Sequence, residues 1–349
     1  MRILSVGSAF PQNLYPQETI TSAIKQHWGE RLEHPEVLDR LHSRSGVKQR
    51  YLSFPLEQYA QFETFGETNR AWLKVAAELG ERAIDGALER AGLERHDLDA
   101  LYVVSVTGIA SPSLDARLIN RMGLRPDIKR TPIFGIGCVG GAMGLTRAAD
   151  YVLAYPRQVA VILSVELCSL TIQRDDLTPV NMISLGLFAD GAVAAILAGA
   201  ERSHAGPAIV SSRSVFYPDT EDIMGWDISE KGFAIVLSQR LPELIKQRLG
   251  ADVDAFLAAN GLTRSEIKSW VIHPGGPKIL QAVEIALRLC NRELALSWEC
   301  LSEFGNLSSG SVLKVLEATM TKRRPEPGAP GVILAMGPGF CSEMMLVRW

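Results

Sequence analysis

The pattern of hydrophobic and polar positions divides the chain into alternating strands and helices. Short runs of consecutive apolar residues, such as ALYVVSVTG, QVAVILSVEL and DGAVAAILAG, predict strands that are covered on both faces. Between them, apolar residues recur at helical spacing in NRAWLKVAAELGERAIDGALERAGL and AMGLTRAADYVLAYP, which predicts amphipathic helices. This alternation of strands and helices predicts a mainly parallel α/β fold.

The second half of the chain repeats the same pattern. IKSWVIHPGG reads as a strand that runs into a glycine-rich turn, PKILQAVEIALRL and SSGSVLKVLEATMTK read as helices, and GVILAMGPGF and SEMMLVRW read as closing strands. The joint between the halves is expected at about residues 200–208. The predicted domains are therefore 1–205 and 206–349.

Composition narrows the class of protein. The chain has 349 residues, of which 47% are hydrophobic and 21% are charged, which is typical of a globular protein with a substantial core. The formal net charge of -3 gives no electrostatic reason to expect nucleic acid or an anionic membrane as a partner. The short apolar N-terminus predicts a first strand rather than a signal peptide, and no apolar run is long enough to span a membrane.

The five cysteines bear on the compartment and on metal binding. They show no C-x-x-C spacing, which favours reduced thiols over a zinc site or a disulfide framework. We therefore expect a cytoplasmic enzyme without a bound metal.

The run PIFGIGCVGGAMGL supports two incompatible interpretations. Gly135, Gly137 and Gly140 form the G-x-G-x-x-G of a dinucleotide site, and Glu166 ends the next strand, although farther along the chain than is usual. Alternatively, the glycines form a tight turn that presents Cys138 as a nucleophile, with a helix N-terminus and a nearby imidazolium lowering the pKa of its thiol. Cys138 could also be a small buried core residue, as most free cysteines are.

Two polar residues of the second half favour the nucleophile. His273 follows a predicted buried strand, and Asn306 lies in a turn before a helix. Such junctions gather at the carboxyl ends of strands in α/β sheets, so Cys138, His273 and Asn306 are expected to meet. Arg40 and Arg44 share one helix face, which fits either a solvated surface or a phosphate site.

Four motifs together resemble those of the type III polyketide synthases, the chalcone synthase superfamily. They are GIGCVGGAMGL, VIHPGGPKIL, FGNLSSGSVL and MGPGF, in that order along nearly the whole chain. The resemblance implies the thiolase fold, with two related halves in a five-layer α-β-α-β-α sandwich, and a homodimer. It also implies malonyl-CoA and an acyl-CoA starter as substrates, with coenzyme A thioesters taking the place of any nucleotide cofactor.

One related family shares this arrangement. Ketoacyl-acyl-carrier-protein synthase III has the same fold and the same Cys-His-Asn set, but it usually follows its histidine with Gln-Ala-Asn. Here the residues are Pro274, Gly275 and Gly276. An NAD-dependent dehydrogenase that uses the G-x-G-x-x-G motif is the alternative from a different class.

The resemblance assigns roles to individual residues. Cys138 is implied to carry the acyl chain, and His273 and Asn306 to bind the thioester oxygen. The residues implied to line the substrate cavity and its gate are Phe188, Ile235, Thr107, Ser111, Glu166, Cys168, Thr171 and Ser308. The residues implied to bind coenzyme A are Arg40, Arg44, Gly275, Gly276 and Lys278, whereas a third basic position of the family reads Val37 here.

The resemblance also suggests a starter and a product. IMGWDISEKGFAIVLSQRLPELI is similar to bacterial members that make alkylresorcinols and alkylpyrones from fatty acyl starters. Small side chains at Ser111 and Cys168 would open the cavity into a tunnel for an alkyl tail. Val106 stands where a threonine hydroxyl is common, so we expect poorer activation of water and a share of pyrones. Ile235 takes the second gate position, with Phe233 two residues earlier.

Overall fold

The computed structural model describes residues 1–202 and 205–349, so residues 203 and 204, within the predicted joint between the halves, lie outside the described residues. The larger predicted strands are present in the order expected from the apolar runs. The strands are β1 Arg2–Ala9, β2 Asn13–Pro16, β3 Gln49–Leu52, β4 Ala100–Val104, β5 Lys129–Ile133, β6 Val159–Leu167, β7 Asp190–Ala198, β8 Ala208–Phe216, β9 Met224–Ser229, β10 Gly232–Leu237, β11 Ser269–Ile272, β12 Pro330–Gly337 and β13 Cys341–Arg348.

The helices follow the predicted amphipathic segments. The longest of them, Phe65–Ala91, starts at a capping box formed by Thr64 and Glu67 and ends at Gly92 in the left-handed conformation. The α-helices are α1 Gln17–Trp28, α2 Pro35–Ser43, α3 Phe65–Ala91, α4 Leu114–Met122, α5 Gly140–Ala154, α6 Pro179–Leu187, α7 Leu241–Ala259, α8 Pro277–Leu287, α9 Ala295–Phe304 and α10 Gly310–Lys322.

The described strands form one large mixed sheet and two small hairpins. The nine-stranded sheet has the order β11-β12-β13-β8-β1-β7-β6-β4-β5. Only the pairs β4–β5, β4–β6 and β11–β12 are parallel, so the expectation of a mainly parallel sheet is wrong. Residues 338–340 join β12 to β13, and a connection that short permits only an antiparallel pair. Apolar runs indicate burial on both faces but not strand direction.

The sheet consists of two halves that are joined by very little backbone pairing. Among the described residues, β1 and β8 pair at a single position, Arg2 with Ala208, whereas β1 pairs with β7 along nearly its whole length. Helices α5 and α10 contact strands of both halves and form the central layer. Helices α3 and α4 pack on one outer side, and α7 and α8 pack on the other. The predicted five-layer α-β-α-β-α sandwich is thus confirmed.

Glycine residues allow the helices of the central layer, α5 and α10, to approach each other closely. A Cβ atom on Gly141 of α5 would lie 2.1 Å from the carbonyl oxygen of Ser309, the residue that precedes α10. A Cβ atom on Gly140 would lie 3.1 Å from the Cβ of Ser309. The start of α5 can therefore touch the start of α10 only because neither glycine has a side chain.

Replacing Gly141 with alanine should separate these two helix ends. We expect Gly141→Ala to lower the free energy of unfolding by about 1–3 kcal/mol, since the obstructing atom belongs to backbone and cannot rotate away. Urea denaturation followed by circular dichroism measures the change. Gly86→Ala is the matched control, because a Cβ atom there meets nothing within 4 Å in the interior of α3. It should stabilise the protein by about 0.5–1 kcal/mol, and an equal loss in both variants would contradict the close-approach argument.

Candidate active site

The turn that carries Cys138 is built from glycines with left-handed backbone. Between β5 and α5 the chain makes a short 3-10 helix, Gly137–Val139, and both Gly135 and Gly137 have positive φ angles, 86° and 50°. A Cβ atom on Gly137 would lie 2.6 Å from Cδ of Pro338 in the turn before β13. The glycine pattern therefore has a steric explanation that needs no dinucleotide. It places Cys138 in a buried position, with 7% of its surface exposed.

Asn306 is fixed by its backbone and by its side chain. Its N–H donates to the carbonyl of Leu187 and its carbonyl accepts from the N–H of Ala189, both at 2.9 Å. Its side-chain oxygen Oδ1 accepts from the N–H of Ser308 at 2.8 Å. Among the described residues, the amide nitrogen Nδ2 makes one long contact, 3.4 Å from the carbonyl oxygen of Gly275. The amide is thus oriented through its oxygen, and its N–H group is available to a further acceptor.

His273 follows β11 and is 3% exposed. Its backbone N–H donates to the carbonyl of Leu334, but neither ring nitrogen has a hydrogen-bond partner among the described residues. A Cβ atom on Gly275 would lie 3.5 Å from the imidazole Nε2, so His273 borders the same glycine that Asn306 contacts. An unpartnered buried imidazole is costly unless a ligand satisfies it.

Ser308 connects this pair to the cysteine. Its hydroxyl oxygen lies 3.8 Å from the Cys138 sulfur, and its backbone has a positive φ of 48°. The structure therefore brings the three sequence-predicted residues into one region: Cys138 contacts Ser308, Ser308 contacts Asn306, and Gly275 lies between Asn306 and His273. The first half of the chain supplies the thiol, and the second half supplies the two nitrogen donors.

Burial controls the protonation of the thiol and the imidazole. It raises the pKa of Cys138 to about 12 and lowers the pKa of His273 to about 3. The expected lowering of the Cys138 pKa is not seen, because desolvation is the largest effect on this thiol and His273 carries no positive charge at pH 7. Both groups are therefore neutral at pH 7.

A buried polar network surrounds Glu166 beside this region. Its carboxylate accepts from the Thr107 hydroxyl at 3.0 Å, from the Val106 N–H at 3.1 Å and from the Ser309 hydroxyl. Burial raises the pKa of Glu166 to about 7. The Val106 position indeed lacks a hydroxyl, but the neighbouring residue Thr107 provides one to the same carboxylate, so the network is not missing its donor.

A cavity of about 700 Å³ lies next to the gate position. Phe188, Ile235, Cys168 and Thr171 line it, as predicted. Cys138, His273 and Asn306 are not in its lining, and Phe188 provides the connection, because its backbone forms an isolated bridge with Asn306.

The other predicted cavity residues lie elsewhere. Thr107, Glu166 and Ser308 are buried behind the cavity, in the networks described above. Ser111 is exposed in the loop before α4 and does not line the cavity of a single chain. The tunnel argument based on a small residue at position 111 therefore loses its structural basis.

Trp226 and Arg50 line the cavity without having been assigned to it from the sequence, and Phe233, which the sequence places two residues before the gate position, lines it as well. Phe233 and Ile235 are two apart on β10, so both face the cavity, and strand alternation could have indicated this. Trp226 of β9 pairs with Ile235 and packs against Phe233 with ring centroids 5.9 Å apart. Arg50 also lines the cavity, but in the sequence it looks like one more cation of a basic surface run.

The three basic residues predicted to bind coenzyme A, here called the coenzyme A rim, have exposed side chains. Arg40 lies on α2, Arg44 follows its last residue, and Lys278 lies in the first turn of α8; all three are exposed. A Cβ atom on Gly46 would lie 3.3 Å from Pro277, so the chain just after α2 meets the start of α8. Gly276 has a φ of 133° and borders Leu187, next to the gate.

The described part of the chain offers neither a cluster of metal ligands nor a membrane-spanning helix. No group of three or more His, Cys, Asp or Glu side chains there could hold a metal ion. No helix within it is long and apolar enough to cross a membrane.

Comparison with known proteins decides the family. The N-terminal domain of the chalcone and stilbene synthases matches residues 1–201, and the C-terminal domain of the same family matches residues 208–349. The chain belongs to the chalcone and stilbene synthase family. This confirms the resemblance found in the motifs and favours it over a ketoacyl-acyl-carrier-protein synthase III or a dehydrogenase.

Several members of the family are similar over their whole length. The 1,3,6,8-tetrahydroxynaphthalene synthase of Streptomyces peucetius subsp. caesius is 48% identical over 99% of this chain and 93% of its own. The 3,5-dihydroxyphenylacetyl-CoA synthase of Amycolatopsis orientalis is 30% identical over 100% and 93%. The crystal structure of the tetrahydroxynaphthalene synthase of Streptomyces coelicolor A3(2), a bacterial type III polyketide synthase, superposes with a TM-score of 0.94 at 30% identity, covering 100% and 99% of the two chains. The protein is a type III polyketide synthase, an acyltransferase that uses malonyl-CoA.

The raised pKa of Glu166 has a consequence for stability. Its native pKa of about 7 exceeds the value of about 4.3 in an unfolded chain, so stability falls as the pH rises through this interval. Glu166→Gln cannot ionise, so its free energy of unfolding relative to the wild type should increase between pH 5 and pH 8, by about 2.5 kcal/mol. Urea denaturation at both pH values measures this difference.

Glu317 offers a matched control for this measurement. Burial is the largest single effect and raises its pKa, but the Lys314 ammonium and the hydrogen bonds from Lys314, Ser8 and Arg90 together outweigh burial and lower the pKa. Its contribution to stability is therefore almost constant between pH 5 and pH 8, and Glu317→Gln should show a nearly pH-independent loss. A pH-independent difference for Glu166→Gln as well would show that Glu166 is ionised throughout this range.

Proposed function

We propose that this type III polyketide synthase uses Cys138 as its acyl carrier, with His273 and Asn306 as the donors that stabilise negative charge on thioester oxygen. The observation that supports this most directly is the convergence of a buried thiol, an unpartnered buried imidazole and an amide with free N–H capacity. Donors already in place and shielded from water stabilise a developing oxyanion strongly.

The reaction then proceeds in two stages. The Cys138 sulfur attacks the starter thioester carbonyl, its proton is transferred to the departing coenzyme A thiolate, and an acyl-cysteine remains. Malonyl-CoA next loses CO₂, and the electron pair left behind becomes an enolate whose oxygen accepts from His273 and Asn306. The enolate carbon attacks the acyl-cysteine carbonyl, a carbon–carbon bond forms, and the carbon–sulfur bond to Cys138 breaks.

In this mechanism, loading of the starter depends on Cys138, whereas decarboxylation of malonyl-CoA depends on His273 and Asn306. Cys138→Ala should abolish polyketide formation and covalent labelling by radioactive acyl-CoA, while release of CO₂ from malonyl-CoA persists, because the enolate depends on His273 and Asn306. Intact-protein mass spectrometry and a radioactive CO₂ assay measure the two activities. Wild-type labelling of Cys138→Ala would disprove the assignment of the nucleophile.

For the product, we propose a malonyl-derived hydroxylated aromatic compound of the tetrahydroxynaphthalene type. The 48% identity to the Streptomyces peucetius enzyme supports it. The cavity supports it too, since Arg50, Gln173, Arg174, Tyr59 and Ser169 give part of its wall a polar character that suits a poly-β-keto chain. Oxygen atoms on alternate carbons, as in 1,3,6,8-tetrahydroxynaphthalene, are the pattern that a folded polyketide leaves.

A fatty acyl starter, giving alkylpyrones or alkylresorcinols, is the second candidate. The apolar end of the cavity favours it, because Ile20 and Ile24 of α1 and the nearby Leu52 and Leu56 could bury an alkyl tail. Each buried CH₂ would contribute about 0.8 kcal/mol, so such a site should prefer long chains over short ones by orders of magnitude.

A starter competition distinguishes the two candidates. Purified protein is incubated with malonyl-CoA alone and then with an equimolar mixture of acyl-CoA esters of increasing length, and products are identified by mass and fragmentation. We expect an aromatic product from malonyl-CoA alone and little change when the mixture is added. Preferential consumption of the longest esters, with alkylpyrone or alkylresorcinol products, would reject the naphthalene proposal and support the fatty acyl one.

The remaining proposals concern cofactors and assembly. We propose that coenzyme A thioesters suffice without a nucleotide cofactor, so that calorimetry should detect no binding of NAD or NADP. We further propose a homodimer formed through β5, an exposed edge strand followed by the half-exposed Phe134. An unpaired edge of this kind invites pairing with a second chain. Sedimentation velocity measures the assembly state.

A further inference from the structure

Arg50 is a buried cation whose partners are carbonyl and amide oxygens. It lies on β3 with 2% of its surface exposed. Its Nη1 donates to the carbonyl of Phe188 at 2.5 Å, its Nη2 to the carbonyl of Leu185 at 2.6 Å, and its Nε to the side-chain oxygen of Gln17 at 3.1 Å. Gln17 in turn donates to the carbonyl of Gly186 at 2.7 Å.

These acceptors are the last carbonyls of α6 and the residue that follows it. The final carbonyls of a helix have no partner within the helix, and that end carries a partial negative charge. A guanidinium with its donors in a fixed fork satisfies two of these carbonyls at once. Burial lowers the pKa of Arg50 to about 10, so the group remains charged at neutral pH. Arg50 thus caps α6 from inside the protein.

The capped segment holds two functional parts of the site. Phe188, which lines the cavity, directly follows α6. Asn306 is bonded to Leu187 on one side of Phe188 and to Ala189 on the other. Arg50 also lies next to the residue before Asn306, because a Cβ atom placed on Gly305 would lie 3.0 Å from the Cγ and Cδ atoms of Arg50. One side chain therefore packs against both strands of the bridge that presents Asn306.

We propose that Arg50 is a positioning residue for the condensation reaction, which sets the backbone at Phe188 and Asn306 and thereby aims the Asn306 amide at the thioester oxygen. This rests on the proposed function, in which Asn306 stabilises the enolate. Arg50 does not belong to the exposed coenzyme A rim, so its removal should affect kcat and leave KM for malonyl-CoA within about twofold. Losing an aligned oxyanion donor costs about 10²–10³ in rate, and misaligning one should cost at least about tenfold.

The experiment uses the purified protein and measures CO₂ release from malonyl-CoA. Arg50→Ala should lower kcat at least about tenfold, and added guanidinium chloride at non-denaturing concentration should restore part of it, because the vacated space adjoins the open cavity. Ammonium chloride at equal ionic strength should restore none. Loss of kcat that guanidinium does not restore would overturn the positioning role in favour of a purely structural one.

Arg50→Lys covers the case in which Arg50→Ala does not fold. Lysine keeps the charge but cannot span two carbonyls, so kcat should again fall with KM almost unchanged, and a wild-type kcat would overturn the proposal. Arg264→Ala is the matched control, since Arg264 also donates to helix carbonyls, those of Gly250 and Ala286, away from the cavity. It should lower the melting temperature without lowering kcat.

Asn306→Ala distinguishes a failure of the Arg50 proposal from a failure of the proposed role of Asn306. If Asn306→Ala releases CO₂ as fast as the wild type, the proposed role of Asn306 fails, and the Arg50 proposal fails with it. If Asn306→Ala is impaired while both Arg50 variants keep the wild-type kcat, only the Arg50 proposal fails.

Discussion

The contact between the starts of α5 and α10 is the constraint on which the site depends. Gly140 and Gly141 let the turn that carries Cys138 press against the segment that carries Asn306 and Ser308. Any side chain at Gly141 would enter the backbone of Ser309. The nucleophile from one half of the chain and the donors from the other half come together because two helices approach at a distance that only glycine permits.

Buried polar groups around this contact differ in how they are satisfied. The Glu166 carboxylate accepts several hydrogen bonds, and the Asn306 side-chain oxygen accepts one from Ser308, whereas His273 has no hydrogen-bond partner for its ring among the described residues. Satisfied groups fix the geometry, and the unsatisfied group has its capacity free for substrate. Charged side chains differ in the same way. The Arg50 guanidinium is bound to helix carbonyls, whereas the side chains of Arg40, Arg44 and Lys278 are exposed.

The sequence predicted which three polar residues lie in one region better than it predicted the sheet or the cavity. Cys138, His273 and Asn306 could be found because each stands at a junction between elements, where chain pattern and chemistry coincide. Strand direction could not be found, since an apolar run is equally compatible with parallel and antiparallel neighbours when both faces are buried. Thr107 supplies the hydroxyl missing at Val106, and Ser111 is exposed outside the cavity lining, because a register in sequence does not specify where a side chain lies in the fold. Arg50 could not be distinguished from its exposed neighbours Arg44 and Lys48, as only tertiary structure removes it from water.

The nearly absent ladder between β1 and β8 has a consequence for how this architecture tolerates change. Since a single backbone pair joins the two half-sheets among the described residues, side-chain volume in the central layer fixes their separation. Hydrogen-bond geometry is the same for every sequence, but volume can be exchanged between neighbouring side chains as long as the total is kept. In such a fold, core residues can be substituted one after another while the backbone keeps its position. The enzyme of Streptomyces coelicolor, with a TM-score of 0.94 at 30% identity, shows how far such substitution can go.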